Sequence, residues 1–197
     1  MRFFTPDLLE RFGSEDNHIA SAAQDEWEER AEEYAGKLRE IEAELPQRFR
    51  DLLDHFYLHD ARIISQPPLM VTDLEWLEHA LRTGMPVGWR VFGGQGSRIP
   101  SYWVPLQLDT PPREVLVLQY RSVQIEDAKL HESLFDECPY LEWQYDEVEL
   151  IETGGNREFR HSILFTRGLE VRLRFKDFDF ATLKPIETPG ELAEVPR

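Results

Sequence analysis

"YLEWQYDEVELIETGGNREFRHSILFT", residues 140–166, is the stretch that decides the fold. Two runs rich in Val, Ile, Phe, Trp and Tyr meet at Gly154-Gly155-Asn156, a signal for a tight hairpin turn. Alternate residues of a strand share a face, so Phe159, His161, Ile163 and Phe165 belong together on one side. On the first run Asp146, Val148 and Leu150 are in phase. Counting outward from a turn centred between the two glycines places Asp146 opposite Ile163 and Val148 opposite His161. His161 is then the diagonal neighbour of Asp146, within side-chain reach. A buried imidazole needs partners for its nitrogens, and Asp146 is the expected one. Glu147 and Glu149 fall on the other face and are expected in solvent.

The same period continues on both sides. After a turn at Arg167-Gly168, "LEVRLRFKDF" (169–178) alternates Val171, Leu173 and Phe175 with Arg172, Arg174 and Lys176, one buried face and one wet face. Upstream, "YWVPLQLD" (102–109) and "REVLVLQYRSV" (113–123) flank "TPP", another hairpin signal. These runs predict consecutive antiparallel strands.

The first third has a helical period instead. Thr5-Pro6-Asp7 suits a helix start, with Thr as cap, Pro at the first position and Asp at the positive end. Gly13 stops that helix, and "SEDNH" (14–18) reads as loop. Ser21 and Gln24 fit a capping box opening a long acidic helix over about 22–45. Its apolar stripe is Trp27, Ala31, Tyr34, Leu38, Ile41 and Leu45. The stripe is too short and too mixed for a coiled coil and is expected to pack on the same chain. Phe49, Leu52, Leu53 and Phe56 predict another helix over 47–57.

After Asp60, "ARIIS" (61–65) reads as a strand ended by Pro67-Pro68. Thr72 to Thr83 reads as a helix and "GGQGSR" (93–98) as a loop. The fold class is therefore α+β: an N-terminal helical hairpin packed on a mostly antiparallel, curled sheet of about five to seven strands. The expected organisation is a helical lobe over 1–58, a β-rich domain over 59–186 and a flexible tail over 187–197, together one compact unit.

Charge narrows the function. The chain of 197 residues carries −16 overall, with −9 in residues 1–60 and −7 in the remainder. Both parts repel a phosphate backbone, so neither nucleic acid nor an anionic membrane surface is an expected partner. A basic protein would be attracted and steered in. The single cysteine, Cys138, allows no internal disulfide and no Cys-based zinc cluster. The start reads as no signal peptide, and no apolar run approaches the ~20 residues of a membrane span. A soluble, cytoplasmic protein is the expectation.

Three stretches together support a resemblance: "MRFFTPDLLERF" at the start, "LHDARII" at 58–64, and "YDEVEL" followed by "FRHSILFTRGLEVRLRF". The chain resembles a group of uncharacterised bacterial proteins with an acidic helical N-terminus, a Leu-His-Asp junction and a C-terminal antiparallel β domain. Residues 66–112 fall outside the resemblance and read as an insertion. The resemblance implies a fold more than an activity. The late His-x-Ile-Leu strand, the glycine turn and the alternating strand also look like some immunity proteins of bacterial toxin systems.

Candidate chemistry is sparse. His55 and His59 have the spacing of zinc proteases, but Phe56 stands where that motif needs its Glu. They read as helix-end histidines facing the negative dipole end, and no metal is expected. His59 and Asp60 sit at the helix-to-strand junction. In extended chain such neighbours point apart, so Asp60 is expected to tie down the backbone rather than orient the ring. Cys138 lacks a basic neighbour, "FGGQGSR" lacks the Lys-Ser/Thr of a phosphate loop, and no nucleophile elbow is present. No cofactor is implied.

His59, Asp60, Asp146 and His161 are thus the candidate polar cluster, binding or structural. The leading expectation is a non-enzymatic binding protein, with neutralisation of a basic toxin as one form. The alternative is an enzyme or small-molecule-binding protein using the four residues. A deep pocket holding them would favour the alternative. A flat acidic face, with the four buried and mutually satisfied, would favour the first.

Overall fold

The computed structural model describes residues 1–63, 101–108, 115–128 and 141–183. The expected helix at 72–83, the glycine loop, Cys138 and the tail lie outside the described residues. Three helices come first: α1 (Pro6–Phe12), α2 (Asn17–Ile41) and, after a 3-10 turn at Glu42–Glu44, α3 (Gln47–His55). Eight strands follow: β1 (Arg62–Ile63), β2 (Ser101–Gln107), β3 (Val115–Arg121), β4 (Gln124–Ala128), β5 (Trp143–Thr153), β6 (Asn156–Phe165), β7 (Glu170–Phe175) and β8 (Asp177–Leu183).

The strands form two antiparallel sheets, in the orders β1-β2-β3-β8 and β4-β7-β6-β5. They are curled into one another at two seams. On one side β3 runs into β4 through Ser122, β7 turns into β8 at Lys176, and the Lys176 N–H donates to the Arg121 carbonyl at 3.1 Å. On the other side Arg62 bridges Glu142 just ahead of β5. Mutual protection of edges and burial of one face per sheet both favour this closure.

The hairpin has the register read from its turn. Asp146 pairs with Ile163 and Val148 with His161. Gly154 and Gly155 have φ of +59° and +81°, the left-handed pair that a two-residue turn of matching twist requires. At the next turn Gly168 is doubly constrained: its φ is +71°, and a Cβ there would meet the Pro6 side chain at 3.1 Å.

Between the sheets lies one core. Phe159, Ile163, Phe165, Leu173 and Phe175 from one sheet meet Leu106, Leu116, Leu118, Tyr120 and Phe178 from the other. Helix α3 closes an end of it: Phe49 is fully buried, edge-on to Phe178 at 4.8 Å and stacked beside Phe175 at 5.7 Å.

Helix α2 serves another face. It begins at Asn17, capped by Asp16, whose carboxylate accepts from the His18 N–H at 2.8 Å. The Ser21 capping box is not used, because Asp16 offers a charged cap earlier in the chain. The stripe of α2 lies over the outer side of β5 and over the first residues of the chain. Phe3 and Phe4 pack on Tyr34 at 5.5 and 5.7 Å, and Phe4 on Trp27 at 6.1 Å. The Tyr34 hydroxyl also accepts from the Val148 N–H at 2.9 Å, a donor of β5 that β6 leaves free.

Strand β8, last in its sheet among the described residues, is covered differently. Asp177 and Asp179 each accept at 2.9 Å from the N–H of the following residue, Phe178 and Phe180. Arg48 of α3 donates to the Phe180 carbonyl at 2.7 Å and to Asp179 at 2.9 Å, its guanidinium 4.0 Å from the Phe180 ring centre. No described helix is long and apolar enough to cross a membrane.

Candidate functional site

The four candidate residues form two pairs, His59 with Asp60 and Asp146 with His161. Asp146 and His161 face the core. His161 is fully buried, and its Nε2 lies 3.0 Å from Asp146 Oδ2. Its Nδ1 lies 2.8 Å from the Tyr120 hydroxyl on the opposite sheet. Asp146 Oδ1 accepts from the Trp143 indole N–H at 2.9 Å. A carboxylate only accepts, so Nε2 carries the proton, and a neutral ring then accepts from Tyr120 at Nδ1. The result is a chain Tyr120–His161–Asp146–Trp143 in which both imidazole nitrogens are engaged. It ties β3, β5 and β6 together across the sandwich. Phe49 and Trp143 flank the ring at 5.2 and 5.6 Å.

Chemically this arrangement resembles a positioned base, with the imidazole fully buried and the carboxylate half-buried. A pocket lies on the outer side of β5, and His161 is absent from its lining. No group of three or more His, Cys, Asp or Glu among the described residues could hold a metal ion. The tautomer makes a test. Asp146→Asn must turn its amide N–H₂ toward one of its two donors, which the imidazole can accommodate by moving its proton to Nδ1. The variant is expected to fold, at a cost of about 1 kcal/mol. The His161 ¹⁵N shifts should change from an Nε2–H to an Nδ1–H pattern. An unchanged pattern would contradict the assigned network.

His59 and Asp60 lie on the other side of β5. Residues Leu58–Ala61 form a tight turn, closed by the Ala61 N–H on the Leu58 carbonyl at 2.9 Å. Asp60 sits in it with φ +64°, a conformation that Asp tolerates better than most residues. This corrects the expectation that the neighbours point apart: the left-handed residue swings them together, and His59 Nδ1 lies 3.0 Å from Asp60 Oδ2. Asp60 does tie the junction as well. Its N–H donates to the Trp143 carbonyl at 2.8 Å, while the Trp143 N–H donates to Ala61 at 2.9 Å. The His59 ring meets Tyr145 edge-on at 5.4 Å and stacks beside Tyr57 at 5.8 Å. Tyr145 and Asp146 are adjacent in β5 and point to opposite faces, so His59 packs on the face of β5 opposite to the one that carries Asp146. His55 is engaged elsewhere, its Nδ1 2.8 Å from the Asp51 carbonyl in the last turn of α3.

Glu147 overturns its expectation more fully. It is buried rather than solvated, and it accepts three backbone N–H groups: Arg2 at 2.8 Å, Phe3 at 2.7 Å and Phe4 at 2.7 Å. Glu170, also buried, receives the Met1 amine and the Arg172 side chain. Burial pushes the Glu170 carboxyl upward, but those two cations prevail and hold it below its ordinary range. Glu149 is exposed as expected and pairs with Arg160 at 2.8 Å.

With the first residues anchored, Phe4, Leu8, Leu9, Phe12, Trp27 and Tyr145 surround a shallow apolar depression. Burial, with the Tyr57 and Asp60 neighbours, pushes the Tyr145 hydroxyl up, so it stays protonated at neutral pH. The sequence carried a signal for Tyr120, which shares phase with Leu116 and Leu118. For Tyr57 and Tyr145 as surface neighbours it gave none. In comparisons with known proteins, no family model, no curated protein and no solved structure matched the chain.

Proposed function

We propose that the chain is a non-enzymatic interaction protein whose partner is a basic protein, with neutralisation of a basic toxin as one form of that role. One contrast carries this reading. Of the residues best suited to catalysis, His161 is fully buried and its partner Asp146 half-buried, each engaged by hydrogen bonds, whereas Asp25, Glu28, Glu29 and Glu32 stand exposed on α2 with no ion pair among the described residues. A single-sign helix face of this kind steers an oppositely charged partner and speeds its association. It adds to a chain of net charge −16.

The test is capture from an extract of the source cells at about 50 mM salt, repeated at about 500 mM. A partner of net positive charge is expected, released at the higher salt. With that partner purified, the triple variant E28K/E29K/E32K should slow association about ten-fold. An acidic partner, or an association rate indifferent to both salt and charge reversal, would refute the reading.

A further inference from the structure

A row of rings runs across the surface beside the helix-to-strand junction. Tyr57 is 73% exposed, an aromatic side chain standing almost wholly in solvent. From it the contacts continue through His59 to Tyr145, and from Tyr145 to Phe4 at 5.1 Å and Trp27 at 5.9 Å. The row ends in the apolar depression, whose outer wall, Phe12, is 41% exposed. Trp27 forms another wall, and its indole N–H is buried with no acceptor. Of these rings Tyr57 and Phe12 are exposed, Trp27, His59 and Tyr145 half-buried and Phe4 buried, and aromatic residues are enriched at interface centres.

The charge beside the row is negative. The Asp60 side chain is 52% exposed, and among the described residues it has, beyond the His59 contact, only a long 3.4 Å approach from Gln144. A half-exposed carboxylate next to an open tyrosine face suits a guanidinium, which stacks flat on a ring and donates in the same plane. The molecule already contains this arrangement internally. Arg48 lies on the Phe180 ring at 4.0 Å while donating to Asp179 at 2.9 Å.

Resting on the reading of a basic partner, we propose that the Tyr57–His59–Asp60–Tyr145 surface is its docking site. It takes an arginine-bearing polypeptide segment, with the guanidinium on Tyr57 and Asp60. Helix α2 steers the partner; this surface selects arginine over lysine.

The experiment titrates the full chain with oligo-arginine and oligo-lysine peptides of equal length, followed by fluorescence anisotropy. Oligo-arginine should bind about ten-fold more tightly. Tyr57→Ala and, separately, Asp60→Asn should each weaken oligo-arginine about five-fold while leaving oligo-lysine within about two-fold. Both positions are exposed, and Asn keeps the left-handed backbone accessible, so circular dichroism should show both variants folded. Equal affinity for the two peptides, or oligo-arginine binding indifferent to both substitutions, overturns this site and leaves the wider reading standing. Failure of both peptides to bind overturns the two together.

Discussion

Glu147→Ala is expected to destabilise the protein by about 3–4 kcal/mol. Its carboxylate accepts three backbone N–H groups in a buried setting, and hydrogen bonds to a charged acceptor contribute about 1.5–3 kcal/mol each. The full sum is not reached, because the first residues can peel away and hydrate their donors. That release sets the ceiling: it exposes Phe3, Phe4 and part of the α2 stripe. Glu147→Gln separates geometry from charge. Its carbonyl oxygen can serve Phe3 and Phe4, which share Oε1, but its amide N–H₂ would face the Arg2 N–H. A loss of about 1–2 kcal/mol is expected there. Urea unfolding measures both, and limited proteolysis should cut the alanine variant near its start. Equal stability of Glu147→Ala and wild type would disprove the anchoring role. Because Phe4 leaves with the segment, the alanine variant should also lose the depression that Phe4 lines.

The second large effect is at Phe49. This ring, from α3, is fully buried against Phe175, Phe178 and His161. Phe49→Ala leaves a cavity where helix and sandwich join and is expected to lose about 3–5 kcal/mol. At about 2–4 °C per kcal/mol for a chain of this size, the melting point should fall by roughly 10 °C. A fall of less than about 2 °C would mean that α3 is not part of the sandwich core.

What the sequence revealed depended on how local each cause was. The register of β5 and β6 was legible because Gly154-Gly155 fixes the centre of the turn, and counting does the rest. The Asp146–His161 contact followed from that register. Phe49 and Leu52 were legible as a buried helical face. Glu147 was not. Alternation shows correctly that it leaves the core face, but whether that outer face is wet depends on what covers it, and the cover comes from 143–145 positions away. The His59–Asp60 contact was hidden by a single dihedral angle, since φ of +64° at Asp60 reverses the direction that extended chain would give. Helix α2 started early because Asp16 competed with Ser21 for the cap, a choice between two reasonable signals.

Strand β8 shows another use of negative charge. An open strand is a template on which a second molecule can build, and concentration makes that growth more frequent. Here Asp177 and Asp179 fold back onto the N–H groups of Phe178 and Phe180, and Arg48 occupies the Phe180 carbonyl. The bonds an incoming strand would seek at those positions are already made within the chain. High concentration and sheet-rich architecture, which often conflict through fibril growth, are thereby made more compatible along this strand.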